Sequence, residues 1–558
     1  MRACRSTLAG LAVAALAGCT AGLGARMSPT LRDLQLAADL GLDPTMAILY
    51  REQFRMLLAN SAAADVPTEY AEIPIDHDDP SAGTYQNRYW VSEEHYQPGG
   101  PVFVYDVGET EAELRAQTYL TNSSSFFKKI LEEFHGIGIV WEHRYYGLSL
   151  PFPVNLDTPV EHFKYLNNKQ ALADLPYFAR NFSRDAFPDQ DLTPRSTPWI
   201  MVGGSYSGMR AAFSRDQYPD TFFAAYASSA PVEARIDMSA YWDQVYRGMV
   251  AYGYGNCTKD LQAAYAYIDS QLANNETAAA IKQLFLGEGA EHNSNGDFTS
   301  ALRAIYGTFQ SYGMRVGSYG LGAFCDYLET DPDTKRVAGP DGLAPVKGNK
   351  AMAERFASWG KLPALVNSYA QTNCKGLDTS RPQSCELGGP SSDPTVISWT
   401  WQYCTQWGYF QSNNFGPRAL LSRYQTLDYW QSVCYRQFPG GLESGLLPAK
   451  PQVDAVNRET GGWAMRPSNV YWSGGEFDPW RTLSPLSTEP FAPRGVELTT
   501  DPPACGVRTS ENRLFGYVMA DAEHCFDFNT NFAGGEVSRG LFARALREWL
   551  PYFRNRTC

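Results

Sequence analysis

Residues 202–210 read V-G-G-S-Y-S-G-M-R, and this short glycine-rich stretch limits the possible folds more than any other part of the chain. The apolar run P-W-I-M-V before it predicts a strand, and the residues from Met209 to Phe213 predict a helix that ends before Pro219. A strand, a tight turn and a helix in this order are the setting in which a serine nucleophile occupies a strained backbone position. The alternative is a turn of small residues without a chemical function.

Ser205 is the better candidate nucleophile of the two serines in this turn. When the turn is centred on Ser205, the residues two positions before and after it are Gly203 and Ser207, which are both small. When it is centred on Ser207, the residue two positions later is Met209, whose side chain would crowd the turn. Ser207 also breaks the strict G-x-S-x-G pattern, so the motif needs support from residues elsewhere in the chain.

A serine hydroxyl needs an imidazole to accept its proton and a carboxylate to orient that imidazole. In the α/β-hydrolase arrangement the chain order is serine, acid, histidine. Of the seven histidines, only His292 and His524 follow Ser205. His292 lies in the polar loop G-A-E-H-N-S-N-G, whereas His524 follows the strand-like run L-F-G-Y-V-M-A and precedes the terminal helix. We therefore predict His524 as the base and His292 as a surface residue.

The predicted acid is Asp478, in the stretch N-V-Y-W-S-G-G-E-F-D-P-W. An apolar strand that runs into a Gly-Gly loop and then a carboxylate is what the penultimate strand of such a sheet should supply. Pro479 favours an extended backbone at Asp478, which would direct its side chain off the end of the strand. Glu476 is the competing acid, and Asp527, three residues after His524, is expected to be structural.

Short β-rich runs that alternate with helical stretches predict an α/β fold, a mainly parallel sheet with helices on both faces. Over residues 236–424 helical spacing dominates and strand signals are few, so we expect an α/β-hydrolase fold interrupted by a helical cap insertion. The expected division of the chain is a signal peptide at 1–19, an N-terminal segment at 20–65 that is helical or a removable pro-segment, a first hydrolase part at 66–235, the cap at 236–424 and a second hydrolase part at 425–558.

Two early arginines, an apolar run over residues 8–17 and the small residues after it predict a secretory signal, which is too short for a membrane span. We expect cleavage near Ala17 or Gly18, and the alternative is a bacterial lipoprotein acylated at Cys19. The net charge of -13 disfavours nucleic acid and anionic membranes as partners. N-glycosylation sequons occur at Asn122, Asn181, Asn256, Asn275 and Asn555.

The chain has eleven cysteines, and nine remain when Cys4 and Cys19 are removed with the signal. In an exported chain, cysteines this far apart are expected to form disulfides, with one left over if all the others pair. The pairing stays open. No C-x-x-C pair or His/Cys cluster indicates zinc, and we expect neither a metal nor a cofactor.

Further blocks of sequence accompany these candidate residues: A-S-S-A-P-V-E, W-E-H-R-Y-Y-G-L-S-L-P, Y-L-N-N-K-Q-A-L-A-D-L, W-Q-Y-C-T-Q-W-G-Y-F-Q, S-G-G-E-F-D-P-W and A-E-H-C-F-D-F. With G-G-S-Y-S-G-M, these blocks resemble the secreted and lysosomal serine peptidases that include prolyl carboxypeptidase, dipeptidyl peptidase II and the fungal acid prolyl endopeptidases. The resemblance runs from about residue 70 to about residue 535. It implies a capped α/β-hydrolase domain, a triad of Ser205, Asp478 and His524, cleavage after proline and an acidic working pH.

Two stretches depart from the pattern of this family. The usual turn G-G-S-Y-G-G has Ser207 in place of a glycine, and the usual G-G-E-G after the third strand is replaced by V-G-E-T at residues 107–110. The backbone N–H of Tyr206 is the expected first oxyanion donor, and the loop around Gly108 is the expected source of the second. The change in this loop leaves that second donor open.

The resemblance also suggests residues that contact the substrate. Met209 and Trp480 match positions that the family uses in its proline pocket, and the alternative for each is packing in the core. Glu109 would bind a substrate amino terminus in a dipeptidyl peptidase, and the alternative is a solvated loop carboxylate. Burial would lower the pKa of His524 and the Asp478 carboxylate would raise it, so the sequence leaves the protonation state of the base open.

The predicted function is a secreted serine peptidase that cleaves after proline at acidic pH through an acyl-enzyme, as a prolyl endopeptidase or a Pro-Xaa carboxypeptidase. The alternatives are a dipeptidyl peptidase II-like exopeptidase, an esterase or lipase on the same fold, and a non-catalytic binding protein, which the three candidate residues argue against. The expected partners are proline-containing peptides or proteins. We expect a monomer or homodimer in the extracellular space or in a vacuolar or lysosomal lumen.

Overall fold

The computed structural model describes residues 29–61, 65–314 and 316–554. The strands in these ranges are β1 (Thr68–Pro74), β2 (Thr84–Ser92), β3 (Val102–Asp106), β4 (Ile137–Trp141), β5 (Trp199–Gly204), β6 (Phe222–Ser228), β7 (Arg235–Asp237), β8 (Gly408–Phe410), β9 (Val470–Gly475), β10 (Glu497–Thr499) and β11 (Arg513–Met519). Of these described strands, nine form one sheet in the order β1-β2-β4-β3-β5-β6-β9-β11-β10, and β7 pairs with β8 separately.

The sheet is mainly parallel. Only the pairs β1–β2 and β2–β4 are antiparallel among the described pairs, and the pairs from β4 through to β10 are parallel. The central strands β3, β4, β6 and β9 are buried along their whole length, because helices cover both faces of the sheet and leave no solvated side. The predicted α/β-hydrolase fold is confirmed.

The helices before the long insertion are α1 (Pro29–Asp39), α2 (Thr45–Leu49), α3 (Arg51–Ser61), α4 (Glu113–Thr121), α5 (Phe126–Phe134), α6 (Asn168–Ala179) and α7 (Tyr206–Gln217). Those between β6 and β9 are α8 (Ala240–Ala251), α9 (Gly255–Leu272), α10 (Asn275–Leu286), α11 (Asn295–Ala301), α12 (Phe309–Tyr312), α13 (Leu321–Glu329), α14 (Ala344–Lys347), α15 (Asn349–Ala357), α16 (Leu362–Ala370), α17 (Pro394–Gln402), α18 (Leu427–Gln437) and α19 (Val453–Thr460). The last helix is α20 (Ala533–Arg554).

The insertion between β6 and β9 is almost entirely helical, and its helices continue past residue 424 to α19. Disulfide bonds cross-link this cap, which confirms the prediction that cysteines of the chain pair. They join Cys257 to Cys325, Cys374 to Cys385 and Cys404 to Cys434. Cys505 is also disulfide-bonded, and Cys525 is free and buried.

The N-terminal segment is helical from residue 29 onward, and its first helix lies between the cap and the sheet domain. Helix α1 packs against α12 and α16 of the cap and against the turn Phe526–Phe528 that follows β11. Leu34, Leu36 and Ala37 are fully buried there. The apolar face of α1 is therefore part of the protein core, and the helix fills the space between the cap and the sheet domain.

The predicted signal peptide at 1–19 and the sequon at Asn555 lie outside the described residues. Of the remaining sequons, Asn181 and Asn275 are exposed, whereas Asn122 and Asn256 are partly buried. No helix within the described ranges is both long and apolar enough to cross a bilayer.

Candidate active site

The three predicted catalytic residues follow the carboxyl ends of three strands of the same parallel array. Ser205 follows β5 directly, Asp478 comes three residues after β9, and His524 comes five residues after β11. Because the strand order is β5-β6-β9-β11, these ends lie along one edge of the sheet. Residues more than 300 positions apart in the chain are thereby brought to one cleft, as expected for open parallel sheets.

The backbone of Ser205 is strained, as the nucleophile reading requires. Its φ is 62° and its ψ is −128°, in a region that non-glycine residues rarely occupy. Gly203 permits the tight turn, because a Cβ there would lie 2.2 Å from the carbonyl oxygen of Ser207. The Ser207 hydroxyl donates to Gly204 O at 2.8 Å and accepts from Gly204 N at 3.1 Å, so it fastens the turn internally.

His524 and Asp478 form a buried pair behind the serine. The Nδ1 atom of His524 lies 2.9 Å from Oδ1 of Asp478, and both side chains are almost completely buried. The same Oδ1 accepts a hydrogen bond from the backbone N–H of Trp480 at 2.9 Å. Among the described residues, His524 Nε2 has no hydrogen-bond partner. His524 also lines a cavity together with Ser205, so this free nitrogen belongs to the same cleft as the hydroxyl.

The structure shows how burial and the neighbouring groups together set the pKa of His524. Burial is the largest single influence and lowers the pKa of the imidazole, but the charge and hydrogen bond of Asp478 together with the neighbouring Cys525 raise it by more, and the net pKa lies well above the usual range. The imidazolium form is therefore favoured in the resting cleft. A general base must be neutral to accept a proton, so a reaction that used His524 as its base would begin at a higher pH than one with an unshifted imidazole.

The other carboxylates and the other histidine that the sequence offers near the triad lie in different surroundings. Glu476 accepts a hydrogen bond from the backbone N–H of Asp521 at 3.2 Å. Asp527 is fully buried and accepts hydrogen bonds from the hydroxyls of Ser228 at 2.6 Å and Tyr226 at 2.7 Å, so it ties the turn after His524 to strand β6. His292 has 84% of its side chain exposed. These contacts leave Asp478 as the carboxylate that orients His524.

Tyr206 occupies the first position of α7, where backbone N–H groups have no acceptor within the helix. The loop around Gly108 lies against this turn, since a Cβ on Gly108 would be 3.3 Å from Cβ of Ser207. However, the N–H of Gly108 itself donates to Asp106 Oδ1 at 2.8 Å. The expectation that Gly108 supplies an oxyanion donor therefore does not fit this geometry. Gly108 instead allows the loop to turn, because its φ of 67° is a backbone conformation that favours glycine.

A buried polar network holds the Tyr206 side chain. The Tyr206 hydroxyl accepts a hydrogen bond from Gln402 Nε2 at 2.7 Å and lies 3.1 Å from His143 Nε2. Burial lowers the pKa of His143 well below its usual value, so the ring is neutral, and its Nδ1 donates to Arg144 O at 2.6 Å. His143 Nε2 is thus an acceptor for the Tyr206 hydroxyl. Two of the sequence blocks, W-E-H-R-Y-Y-G and W-Q-Y-C, support the nucleophile turn in this way.

A first cavity, which we call the aromatic cavity, opens beside Ser205 and has a volume of about 90 Å³. Six of the residues that line it are Tyr206, Tyr241, Trp242, Trp399, Tyr409 and Trp480. The predicted Trp480 therefore faces the cleft. Met209 is not among the described residues that line either cavity beside Ser205. It is fully buried, and its Sδ lies 3.7 Å from the Tyr409 hydroxyl, so it packs behind the cavity wall.

A second cavity, which we call the charged cavity, lies on the His524 side of Ser205 and has a volume of about 70 Å³. Four ionisable side chains that line it are Arg32, Asp39, Glu109 and Arg115. Glu109 lines both cavities and is only 6% exposed, so it is not a solvated loop carboxylate. Burial raises its pKa to about 7. Over the described ranges, no three His, Cys, Asp or Glu side chains are grouped to hold a metal ion.

Gln310 of α12 is a site residue that sequence reasoning missed. It lines both cavities, and its Oε1 accepts hydrogen bonds from Trp480 Nε1 at 2.9 Å and the Tyr241 hydroxyl at 3.2 Å. Its carbonyl oxygen accepts from the backbone N–H of His524 at 3.0 Å. No motif marks Gln310, because it comes from the cap and reaches the site only through the packing of the cap. Arg32 and Asp39 of α1 were missed for the same reason.

The profile of the serine carboxypeptidase S28 family matches residues 74–492, which is more than half of the chain. A probable extracellular serine carboxypeptidase of Arthroderma benhamiae is 28% identical over 86% of this chain and 66% of its own length. The thymus-specific serine protease of Mus musculus is 27% identical over 84% of both chains. The lysosomal Pro-X carboxypeptidase of Mus musculus is 23% identical over 74% of this chain and 78% of its own length.

Proposed function

Because the chain belongs to the serine carboxypeptidase S28 family, we propose that it hydrolyses peptide bonds on the carboxyl side of proline through an acyl-enzyme on Ser205. Family membership supports the coarser statement that it is a serine-type hydrolase. The observation that carries the proposal is the buried pair of His524 and Asp478, in which Nδ1 and Oδ1 lie 2.9 Å apart. Among the described residues, His524 Nε2 has no hydrogen-bond partner, and His524 lines the same cavity as the strained Ser205.

In the proposed reaction His524 Nε2 accepts the Ser205 proton as the hydroxyl oxygen attacks the prolyl carbonyl carbon. The bond to the leaving nitrogen then breaks as His524 returns the proton to that nitrogen, which leaves an ester on Ser205. Water attacks the ester in the second half of the reaction, with the same imidazole as base. Asp478 keeps the Nδ1 proton in place and stabilises the imidazolium ion that forms in both steps.

The backbone N–H of Tyr206 is the proposed first oxyanion donor, because it lies at the start of α7, where the helix dipole also favours negative charge. A second donor would come from the loop that contains Gly108. Since the N–H groups of Val107, Gly108 and Thr110 already donate to Trp141 O, Asp106 and Gly108 O, we place this donor at the backbone N–H of Glu109. The close approach of Gly108 to the turn keeps this loop within reach of the reacting carbonyl.

The preference for proline is proposed from the chemistry of the aromatic cavity. A prolyl ring carries no side-chain hydrogen-bonding group, so its complement is an apolar, flat-walled pocket. Trp480 and Tyr409 meet edge to face with their ring centroids 5.2 Å apart, and Tyr241 lies 5.9 Å from Trp480 in the same manner. These rings offer C–H and π surfaces to a pyrrolidine ring. Met209 supports this wall from behind without touching the substrate.

The test compares three substrates on the purified protein: a peptide with proline before the scissile bond, the same peptide with alanine there, and a simple fatty ester. We expect the prolyl peptide to have the highest kcat/KM, and we expect a fluorophosphonate to label Ser205 and stop the reaction. A preference for the fatty ester would favour the esterase or lipase alternative. Absence of both labelling and turnover would favour a non-catalytic binding protein.

The relatives include a probable extracellular enzyme and a lysosomal one, so we place this protein outside the cytosol, in a secreted or lumenal compartment. The disulfides of the cap are typical of such compartments. Asn181 and Asn275 are the best proposed glycan acceptors, since both are exposed. Mass spectrometry of the secreted protein before and after glycosidase treatment tests these sites.

A further inference from the structure

A cationic side chain, Arg303, lines the aromatic cavity in addition to the rings of its walls. It lies in the cap, two residues after the end of α11. Its guanidinium carbon is 5.0 Å from the ring centroid of Trp242 and 4.8 Å from that of Trp430. Two such cation–π contacts favour the charged form of the side chain and hold the guanidinium in one position.

Arg303 has no counter-ion in the part of the chain that the structure describes. No carboxylate oxygen there lies within 4.0 Å of its nitrogens. Burial lowers the pKa of Arg303 to about 10, and the neighbours that oppose this change are the phenols of Tyr429, Tyr241 and Tyr265. Arg303 is therefore charged at neutral pH, and no described carboxylate offsets the cost of placing this charge in the protein.

Gln411, the residue after β8, is in direct contact with Arg303 and lines the same cavity. Its Oε1 accepts a hydrogen bond from Arg303 Nη2 at 2.6 Å. Because a guanidinium can only donate, the bonded atom of the amide must be its oxygen, and the other atom, Nε2, is a donor. The contact thus fixes the orientation of the amide and places a second set of N–H groups beside Arg303.

Three nitrogens of this pair have no acceptor among the described residues. Nε of Arg303 is buried and has no partner. Nη1 of Arg303 and Nε2 of Gln411 also have no described partner, but they are not among the buried atoms, so a molecule in the cavity can reach them. Since Oε1 of Gln411 is already bound, the pair offers donors and a positive charge. The matching ligand is a carboxylate.

Glu109 also lines the aromatic cavity, but it does not neutralise this pair. Burial raises the pKa of Glu109 to about 7, and the charged groups with the largest effect on that pKa are Arg32, Arg115 and His524, which line the charged cavity. No ion pair joins Glu109 to Arg303. The electropositive end of the aromatic cavity therefore lies apart from its carboxyl group.

The acyl part of a bound peptide would run through the aromatic cavity. In the proposed function the prolyl ring packs against Trp480, and the leaving part lies beside His524, which returns the proton to the leaving nitrogen. Arg303 and Gln411 line the aromatic cavity and are not among the described residues that line the charged one. The side chains that reach this pair therefore belong to residues before proline.

We propose that Arg303 and Gln411 bind the carboxylate of an aspartate or glutamate side chain at one of the two positions before proline. Arg303 supplies the charge and Gln411 supplies a second donor. Among proline-containing peptides, the protein then favours those with an acidic residue ahead of the proline. This inference rests on the proposed function, because it takes the prolyl ring to occupy the aromatic cavity.

The experiment compares blocked peptides that differ at one residue. One set has glutamate, glutamine or lysine directly before proline, and a second set has the same three residues one position earlier. At about pH 6 the substrate glutamate is ionised, whereas most of Glu109 is protonated and does not repel it. In one of the sets we expect kcat/KM to be about tenfold higher for glutamate than for glutamine, chiefly through KM, and lowest for lysine.

The outcomes separate this inference from the proposed function. Equal cleavage of the glutamate and glutamine peptides in both sets would overturn the acidic subsite, while cleavage after proline would leave the proposed function intact. If none of the peptides is cleaved after proline, the result counts against the proposed function itself.

Substitutions assign the preference to this pair of side chains. Arg303→Met keeps a long side chain beside the indole rings but removes the charge, so the ratio of glutamate to glutamine cleavage should fall to about one while cleavage of the glutamine peptide changes little. Arg303→Lys should keep part of the preference. Gln411→Glu should also abolish it, because the new carboxylate binds the guanidinium. This variant supplies the counter-ion that Arg303 lacks, so it should fold even if Arg303→Met does not.

The matched control is Arg355→Met. Arg355 is also a partly buried arginine of the cap, its guanidinium lies 4.4 Å from the ring centroid of Tyr327, and its Nε donates to Leu328 O at 2.9 Å. It is not among the described residues that line the two cavities beside Ser205, so the control should keep the full preference for glutamate. An equal loss of preference in the control, or a preference that survives in Gln411→Glu, would overturn the assignment.

Discussion

The two cavities on either side of Ser205 differ in almost every chemical respect. The aromatic cavity is walled by rings such as Trp480 and Tyr409, whereas the charged cavity contains two arginines and two carboxyl groups. The ring walls of the first are suited to recognise a shape without polar groups, and the second is suited to recognise a charge. A peptide that spans Ser205 would therefore be selected by two independent criteria, one for each side of the scissile bond.

The two cavities are also built from different parts of the chain. The cap supplies Tyr241, Trp399 and Tyr409 to the aromatic side, and α1 supplies Arg32 and Asp39 to the charged side. The sheet domain supplies the proposed reacting groups, Ser205, Asp478 and His524, between them. Specificity for the acyl residue and for the leaving residue can thus change separately, while the position of Ser205 stays fixed by β5 and α7.

The largest effect is expected from a substitution in the proposed catalytic triad, which lies between the two cavities. Asp478→Asn should lower kcat by roughly 10⁴-fold, because an amide at this position no longer stabilises the imidazolium ion or fixes the tautomer of His524. Steady-state kinetics on the prolyl peptide measures this. Glu476→Gln is the control, since Glu476 binds the Asp521 backbone instead of His524, and activity comparable to that of Asp478→Asn in this control would contradict the assignment.

The second largest effect is expected from a substitution in the aromatic cavity. Trp480→Ala should lower kcat/KM for prolyl peptides by roughly 10–100-fold, because it removes a large ring from the proposed proline pocket. Trp480→Phe keeps a ring and should recover most of the activity. A Trp480→Ala variant that keeps the full preference for the prolyl over the alanyl peptide would contradict the assignment of the aromatic cavity to the prolyl ring.

The contrast between the cavities also explains which parts of the site could be predicted from the sequence. Ser205, Asp478 and His524 each follow a recognisable strand, and only two histidines follow Ser205, so the sequence leaves few candidates for the base. The fold follows from the same alternation of strands and helices. Trp480 was found because it adjoins Asp478 in the chain.

Features that depend on packing between distant segments could not be predicted. Gln310 and Arg32 lie in helices without a motif, and they enter the site only because the cap and α1 close over the sheet. Met209 adjoins the nucleophile in sequence, but the direction of its side chain on α7 places it behind Tyr409. The bond between Asp106 and the Gly108 N–H is likewise set by loop conformation, which the sequence V-G-E-T does not reveal.

A smaller effect should appear in the pH dependence of cleavage. The raised pKa of His524 should make kcat/KM for the prolyl peptide increase with pH through the neutral range, because only the neutral imidazole is a base. Steady-state kinetics from pH 5 to 8 measures this. A kcat/KM for the prolyl peptide that stays constant from pH 5 to 8 in the wild-type protein would contradict the assignment of His524 as the base.

The smallest effect is expected at Ser207, which lines the charged cavity but whose hydroxyl is bonded to Gly204 within the turn. Ser207→Gly removes both hydrogen bonds to Gly204 and places a glycine in the first turn of α7. We expect a decrease in Tm of roughly 1–3 °C and a decrease in kcat/KM for the prolyl peptide of no more than about threefold. Calorimetry and steady-state kinetics measure this. A loss of activity close to that of a Ser205→Ala variant would mean that the Ser207 hydroxyl takes part in the reaction, and the choice between the two serines would have to be reversed.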